Sequence, residues 1–176
     1  MDLFKGEHKK PEYLDVFPLG YVPSMEDLRE ENKGFVLGES NAIMKYLCNT
    51  FEVADHFYPK DAKTRARIDM YLDGHHTKIR GIVKVLVPKA LLALFMPPEV
   101  VKERNDPKVI KPLEEEVAKA FKELNDYYLG NVARVAEAKE KGVTNWIATV
   151  DEKPSIADIR AYEEIYQLIL LPEWRD

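Results

Sequence analysis

Two short segments constrain this chain most. Gly20-Tyr21-Val22-Pro23 brings an X-Pro bond to the entry of a strand-like run, and Glu39-Ser40-Asn41-Ala42-Ile43 opens a helix-like one. Proline fixes its own φ and holds the residue before it extended, so the first segment reads as a strand entry. If that bond is cis, the chain turns sharply and Val22 offers its N–H and C=O outward, where an extended peptide can pair with them. A strand that merely begins at proline is the ordinary alternative. The second segment sets a carboxylate and a hydroxyl at a helix N-terminus. Free N–H groups there bind carboxylates and phosphates, and Glu39 attracts an ammonium group beside them. An N-cap serine is also a commonplace helix start. Together the two segments describe a backbone edge and an anion socket, the parts needed to hold a small peptide.

The 176 residues suffice for one ordinary domain or two small ones. A hydrophobic share of 45% with 32% charged residues describes a soluble globular chain. The net charge of −5 argues against a nucleic-acid partner, which calls for a basic face. The single Cys48 excludes an internal disulfide and fits a reducing compartment. The most apolar stretch, Ile79 to Met96, contains Arg80, Lys84 and Lys89 with Pro88 in its middle. A membrane span needs roughly 20 apolar residues with few charges, so this stretch reads as a core helix and its exit, with no membrane partner. The first residues hold no apolar run of the kind a signal peptide has, and the cytoplasm is the expected location.

Along the chain, Asp2-Leu3-Phe4 reads as the end of a strand and Pro11 to Phe17 as a short helix with proline at its first position. Tyr21 to Met25 and Phe35 to Leu37 read as strands joined by a protruding polar connection, Glu26 to Lys33. A helix follows from Ser40 to about Phe51, with Ile43, Tyr46 and Leu47 on one face. After a linker around Pro59, Asp61 reads as the N-cap of a long helix in which Ile68, Tyr71, Leu72 and His75 recur at helical spacing. A second long helix starts near Asp106-Pro107, with Val109, Leu113, Val117, Phe121, Leu124 and Tyr128 as its apolar stripe. Its acidic run Glu114 to Glu116 reads as a solvated face, and Asn131 to Asn145 as a charged segment that can extend the same helix amphipathically. Ser155 with Asp158 has the form of a capping box opening a helix to about Leu171. That helix is apolar on most sides, so burial on several faces is expected.

Few residues carry chemistry by pattern. His8 with Lys9 and Lys10 can hold a terminal carboxylate, or simply form a solvated basic loop. His76 and Arg80 are expected to share one helical face, whereas the adjacent His75 and His76 do not, so no metal site is expected. The sequence holds no HExxH, CxxC, P-loop, GxSxG or dinucleotide motif.

The combination is more specific than its parts. The runs Lys5 to Leu14, Pro18 to Pro23 and Leu37 to Ile43 resemble a theta-class glutathione S-transferase. So do Tyr58-Pro59, Arg65-Ala66-Arg67-Ile68-Asp69, His76-Thr77 to Arg80, and Ser155-Ile156-Ala157-Asp158. The resemblance implies an α/β plus all-α fold: a partial thioredoxin-like domain over 1–53, a linker over 54–61 and a helical bundle over 62–176. It implies a homodimer that conjugates glutathione, as co-substrate and without another cofactor, to small hydrophobic electrophiles. By matching position, His8 and Lys9 hold the glycine carboxylate of glutathione, Val22 before Pro23 pairs with the cysteinyl backbone, and Glu39 and Ser40 take the γ-glutamyl end. Arg80 lies near the mouth of the active site. Tyr21 stands where the family often has lysine or glutamine, and the loop at Leu28 to Lys33 is longer than usual.

In the family a further strand and helix come first, and they bear the catalytic hydroxyl, a serine in theta enzymes. No residue here matches it, so no catalytic residue is named. A partial gene product or a degenerate member is therefore expected, short of its C-terminal helices as well, and poorly soluble or dependent on partner contacts. The alternative to an enzyme is a non-catalytic, glutathione-transferase-like interaction module, or a remnant that binds glutathione without turnover.

Overall fold

Asp2 begins the fold with a turn where a strand end was expected. Its Oδ1 accepts the Lys5 N–H at 3.2 Å, and the Glu7 carboxylate reaches back to the Asp2 N–H at 2.6 Å. These local bonds take up donors that a strand would pair. The computed structural model describes residues 1–3, 5–86 and 96–170. Its contacts divide the chain into two units, Met1–Ala54 and Asp55–Asp176.

In the first unit a 3₁₀ turn at Glu7–Lys9 leads into α1, Pro11–Leu14, with proline at its first position. Strands β1, Ser24–Asp27, and β2, Phe35–Gly38, pair antiparallel, Ser24 facing Gly38 and Asp27 facing Phe35. β1 therefore starts at Ser24, later than the expected Tyr21. Pro23 has no N–H to give a ladder, and the Tyr21 carbonyl is already bonded to the Tyr13 hydroxyl. Gly38 lies against the Phe17 ring, where an added Cβ would stand 2.5 Å from Cζ. Helix α2, Ser40–Thr50, follows.

Apolar burial in this unit is thin. Phe17 is buried, while Phe35, Leu47, Phe51 and Val53 remain 37% to 46% exposed. A polar hub holds the hairpin to α2 instead. Buried Asp27 accepts from Arg29 Nε at 3.0 Å, Arg29 Nη2 at 2.6 Å, Asn32 Nδ2 at 3.0 Å and the Tyr46 hydroxyl. The Arg29 and then the Tyr46 hydrogen bonds hold the Asp27 carboxyl well below the usual carboxylate range. The Arg29 guanidinium also stands 4.8 Å from the centre of the Phe51 ring.

The second unit is helical. Asp61 caps α3, Ala62–His75, accepting from the Thr64 N–H and hydroxyl, each at 2.8 Å. Ile68, Tyr71, Leu72 and His75 form its buried face. The helix then stops, and His76 to Arg80 form turns, so His76 and Arg80 do not share a helical face. Gly74 is a poor helix former, and the Thr77 hydroxyl bonds the Gly74 carbonyl at 3.1 Å, which favours that end. Helix α4 is Gly81–Leu86; the exit of the apolar stretch falls largely outside the described residues.

Helix α5, Pro98–Arg104, precedes α6, Pro107–Glu123, capped by Asp106. Ile110, Val117 and Ala120 are buried on α6, whereas Val109 is exposed. The real stripe thus starts one residue later than the one expected. A π turn at Leu124–Leu129 carries the buried Leu124 and Tyr128. The charged segment then forms a helix of its own, α7, Val132–Lys141, capped by Asn131 and ended by the left-handed Gly142. A small hairpin pairs β3, Thr144–Asn145, with β4, Val150–Asp151, which no sequence pattern announced.

Ser155 and Asp158 form the capping box of α8, Ile156–Tyr166. Asp158 Oδ1 also accepts the Ile147 N–H at 2.8 Å, tying the hairpin to the helix. The expected burial on several faces is only partly met. Ile156, Ala157, Ala161 and Glu164 are buried, whereas Ile159, Tyr162 and Tyr166 are exposed. α3 packs on α8, and α4 on α6.

Glu164, 1% exposed, is the polar centre of this unit. Its Oε2 lies 3.4 Å from His75 Nε2, 3.4 Å from Arg80 Nη1 and 3.7 Å from Arg160 Nη1. Burial pushes His75 below its ordinary value, so the ring is neutral. Its Nε2–H then donates to Glu164, and Nδ1 accepts from the Tyr71 hydroxyl 3.2 Å away. Desolvation opposes the charge on Glu164, but the His75 bond and the fields of Arg80 and Arg160 outweigh it and lower its pKa. Both shifts are downward, so the unfolded chain binds more protons. Stability is fully present above about pH 6.5, falls below that through His75, and falls further below about pH 4.3 through Glu164. Urea denaturation across this range checks that slope. Glu164→Ala, which leaves the largely buried Arg160 without its carboxylate, is expected to cost about 3 kcal/mol at pH 7.

Candidate functional site

One residue separates β2 from α2. Glu39 sits there at φ 65 and ψ 113, a backbone geometry that L side chains rarely adopt. Such positions cost about 1–3 kcal/mol and gather at ligand clamps. Glu39 makes no side-chain cap bond, and the positive end of the α2 dipole lies beside it. Its carbonyl accepts the Ile43 N–H at 2.9 Å, the first bond of the helix. Its carboxylate lies beside Tyr21. Desolvation first, and Glu39 second, push the Tyr21 phenol up.

The Val22-Pro23 bond is cis. Val22 is exposed, and its N–H and C=O take part in no hydrogen bond among the described residues. The hydroxyl of Tyr13 brackets this dipeptide. It donates to the Tyr21 carbonyl at 2.7 Å and accepts from Ser24 Oγ, also at 2.7 Å.

His8 and Lys9 stand on the 3₁₀ turn. The Lys9 ammonium donates to the Gly20 carbonyl, joining that turn to the segment before Val22. Gly20 has φ +61, and a Cβ there would stand 2.7 Å from Leu14 Cδ2, so the close approach needs glycine. His8 Nδ1 is buried with no hydrogen-bond partner among the described residues.

The peptide-side candidates His8, Lys9, Val22, Pro23, Glu39 and Ser40 thus all fall within Met1–Ala54. Lys9 is linked to Gly20, and Tyr21 to Glu39, so the three groups are joined through their neighbours. Arg80 belongs to the other unit, and its half-exposed guanidinium is turned onto Glu164. Sequence reasoning missed Tyr13, whose role depends on a contact no local pattern marks. Among the described residues no cluster of His, Cys, Asp and Glu could hold a metal ion, and no helix is long and apolar enough to cross a membrane.

Residues 2–50 match the model of the glutathione S-transferase N-terminal domain. Glutathione S-transferase theta-2 from Homo sapiens is 33% identical over 177 residues, covering 97% of this chain and 60% of that protein. Glutathione S-transferase T1 from Arabidopsis thaliana is 33% identical over 176 residues, covering 98% and 62%. The apo form of human glutathione S-transferase T1-1 superposes with a TM-score of 0.74 at 28% identity, over 99% of this chain and 68% of that one. A human theta-class transferase in complex with the glutathione conjugate of 1-menaphthyl sulfate gives 0.74 at 29%, over 100% and 63%. Residues 2–50 thus carry a glutathione S-transferase N-terminal domain, and the chain, with its thioredoxin-like N-terminal part and helical remainder, is similar to theta-class glutathione S-transferases. It spans about 60% of the length of the theta-2 and T1 relatives.

Tyr13→Phe removes both bonds that bracket Val22-Pro23. At about 1 kcal/mol net for each, the variant is expected to lose about 1–2 kcal/mol in urea denaturation.

Proposed function

We propose that the Met1–Ala54 unit binds glutathione and serves a transferase that joins its sulfur to small hydrophobic electrophiles. The observation that carries this reading is the pairing of an open Val22 edge with a strained Glu39 at an uncapped helix start. The γ-glutamyl carboxylate meets Ser40 and the first N–H groups of α2, and its ammonium meets Glu39. The cysteinyl backbone pairs with Val22 as an added strand. The glycine carboxylate lies at His8 and Lys9. Lys9 gives one of its three donors to Gly20 and keeps two, while His8 has Nδ1 in hand.

In conjugation the thiol loses its proton, the sulfur lone pair forms the bond to carbon, and the leaving group departs with its electron pair. A free thiol has a pKa of about 8.5 and only the thiolate attacks well, so such a site must favour the thiolate. No residue of this chain is assigned that task. Arg80, steadied by Glu164, is the candidate on the electrophile side. A cytoplasmic homodimer is the assembly that accompanies this reading. The human theta-class structure that holds a glutathione conjugate supports it.

Calorimetric titration with glutathione tests the proposal. Saturable binding is expected, weakened about tenfold or more by His8→Ala and by Ser40→Ala, as befits loss of a hydrogen bond to a charged group. Absence of binding by a folded chain, or binding indifferent to both changes, contradicts it and leaves the interaction module.

A further inference from the structure

We propose that Tyr13 is a positioning residue for the peptide face, whose hydroxyl aims the Val22 N–H at the backbone of the bound peptide. The inference rests on the reading of Met1–Ala54 as a glutathione-binding unit and adds to it a residue that acts through Val22. Tyr13 lies on α1 with its backbone held at both ends. Its N–H bonds the Lys10 carbonyl at 3.1 Å, and its carbonyl accepts the Phe17 N–H at 2.8 Å. Its ring meets buried Phe17 edge to face, with centroids 6.3 Å apart and planes at 81°. The hydroxyl is therefore delivered from a fixed base.

The direction of the Val22 N–H follows from the peptide plane. The Tyr21 carbonyl and the Val22 N–H belong to one planar trans unit, in which they point opposite ways. The Tyr13 hydroxyl donates to that carbonyl at 2.7 Å. It thereby fixes the near side of the unit and turns the N–H to the far side. There Val22 is exposed, and its N–H meets no acceptor among the described residues. The carbonyl one residue earlier, that of Gly20, is taken by the Lys9 ammonium. Two successive carbonyls ahead of Val22 are thus held by side chains, which keeps their peptide units from rotating.

The same hydroxyl accepts from Ser24 Oγ at 2.7 Å, and Ser24 is the first residue of β1, opposite Gly38. The Tyr21 ring sets its edge on Phe17, 5.3 Å away at 85°, and Phe17 packs on Gly38, the neighbour of Glu39. One hydroxyl thus ties the Val22 peptide to the strand pair that ends at Glu39. Without it the Tyr21 carbonyl turns to water and the Val22 N–H loses its aim. The Ser40 end of the site, carried by β2 and α2, keeps its own backbone bonds. The effect of Tyr13 therefore falls on backbone pairing at Val22 and spares the helix start.

Glutathione titration of the full chain, read by calorimetry and by ¹⁵N amide shifts, compares the wild type with Tyr13→Phe and Ser24→Ala. Tyr13→Phe keeps the ring on Phe17 and is expected to weaken glutathione about fivefold to tenfold, on the scale of a neutral hydrogen bond. Its glutathione-induced shift at the Val22 N–H shrinks, whereas that at the Ser40 N–H keeps its size. Ser24→Ala removes only one of the two bonds. It is expected to show the same pattern with about a threefold loss, and it decides the matter if Tyr13→Phe does not fold. A folded variant that binds glutathione as the wild type does overturns the proposal. So does a loss in which the Val22 and Ser40 shifts shrink alike, the mark of a merely structural role. Those outcomes leave the glutathione reading standing, whereas a folded wild-type chain that binds no glutathione contradicts both.

Discussion

The backbone of Glu39 is the constraint on which the peptide-binding face depends. One residue must reverse the chain from β2 into α2, and it does so at φ 65 and ψ 113 without being glycine. Gly38, pressed on Phe17, allows the approach from one side, and the Ile43 N–H holds the Glu39 carbonyl from the other. The consequence is geometric. A strand pair ends where a helix N-terminus begins, so an extended backbone and a carboxylate can be met together. A strain of about 1–3 kcal/mol is retained at that point.

Both units carry buried carboxylates that gather polar partners from separate elements. Asp27 gathers Arg29, Asn32 and Tyr46 and so ties a hairpin to a helix whose apolar side chains stay half exposed. Glu164 gathers His75, Arg80 and Arg160, and so ties α3 and the turn after it to α8. Asp158 does the same for the β3–β4 hairpin. Removing a partner from such a hub leaves the buried carboxylate short of a hydrogen bond, which disfavours other arrangements. Arg80 is at once a surface cation and a strut, because its exposed guanidinium ends on a carboxylate that is 1% exposed.

What was legible in the sequence was local or came through resemblance. The caps at Asp61 and Ser155 declare themselves within one turn of chain, and both are formed. The theta-class resemblance and the fold class were legible in the runs from Lys5 to Ile43 and around Ser155. What escaped depends on distant partners. Glu164 sat inside an apolar run and drew no notice, yet its partners lie 84 and 89 residues away. The break at His76 is a competition between Gly74, Thr77 and a helix that periodicity alone would continue. The one-residue drift from Val109 to Ile110 reflects which face α4 meets. The two-residue strands β3 and β4 are too short to show any period. For the peptide face, residue types were legible, whereas the clamp by Tyr13 and the tether from Lys9 to Gly20 were not.

The central claim is that Val22 and the start of α2 together hold glutathione. Amide chemical shifts of the ¹⁵N-labelled chain, followed through a glutathione titration, test it residue by residue. The account predicts the largest saturable shifts at the N–H groups of Val22 and Ser40. Saturation with those two amides unmoved, or shifts concentrated elsewhere in the chain, would contradict it.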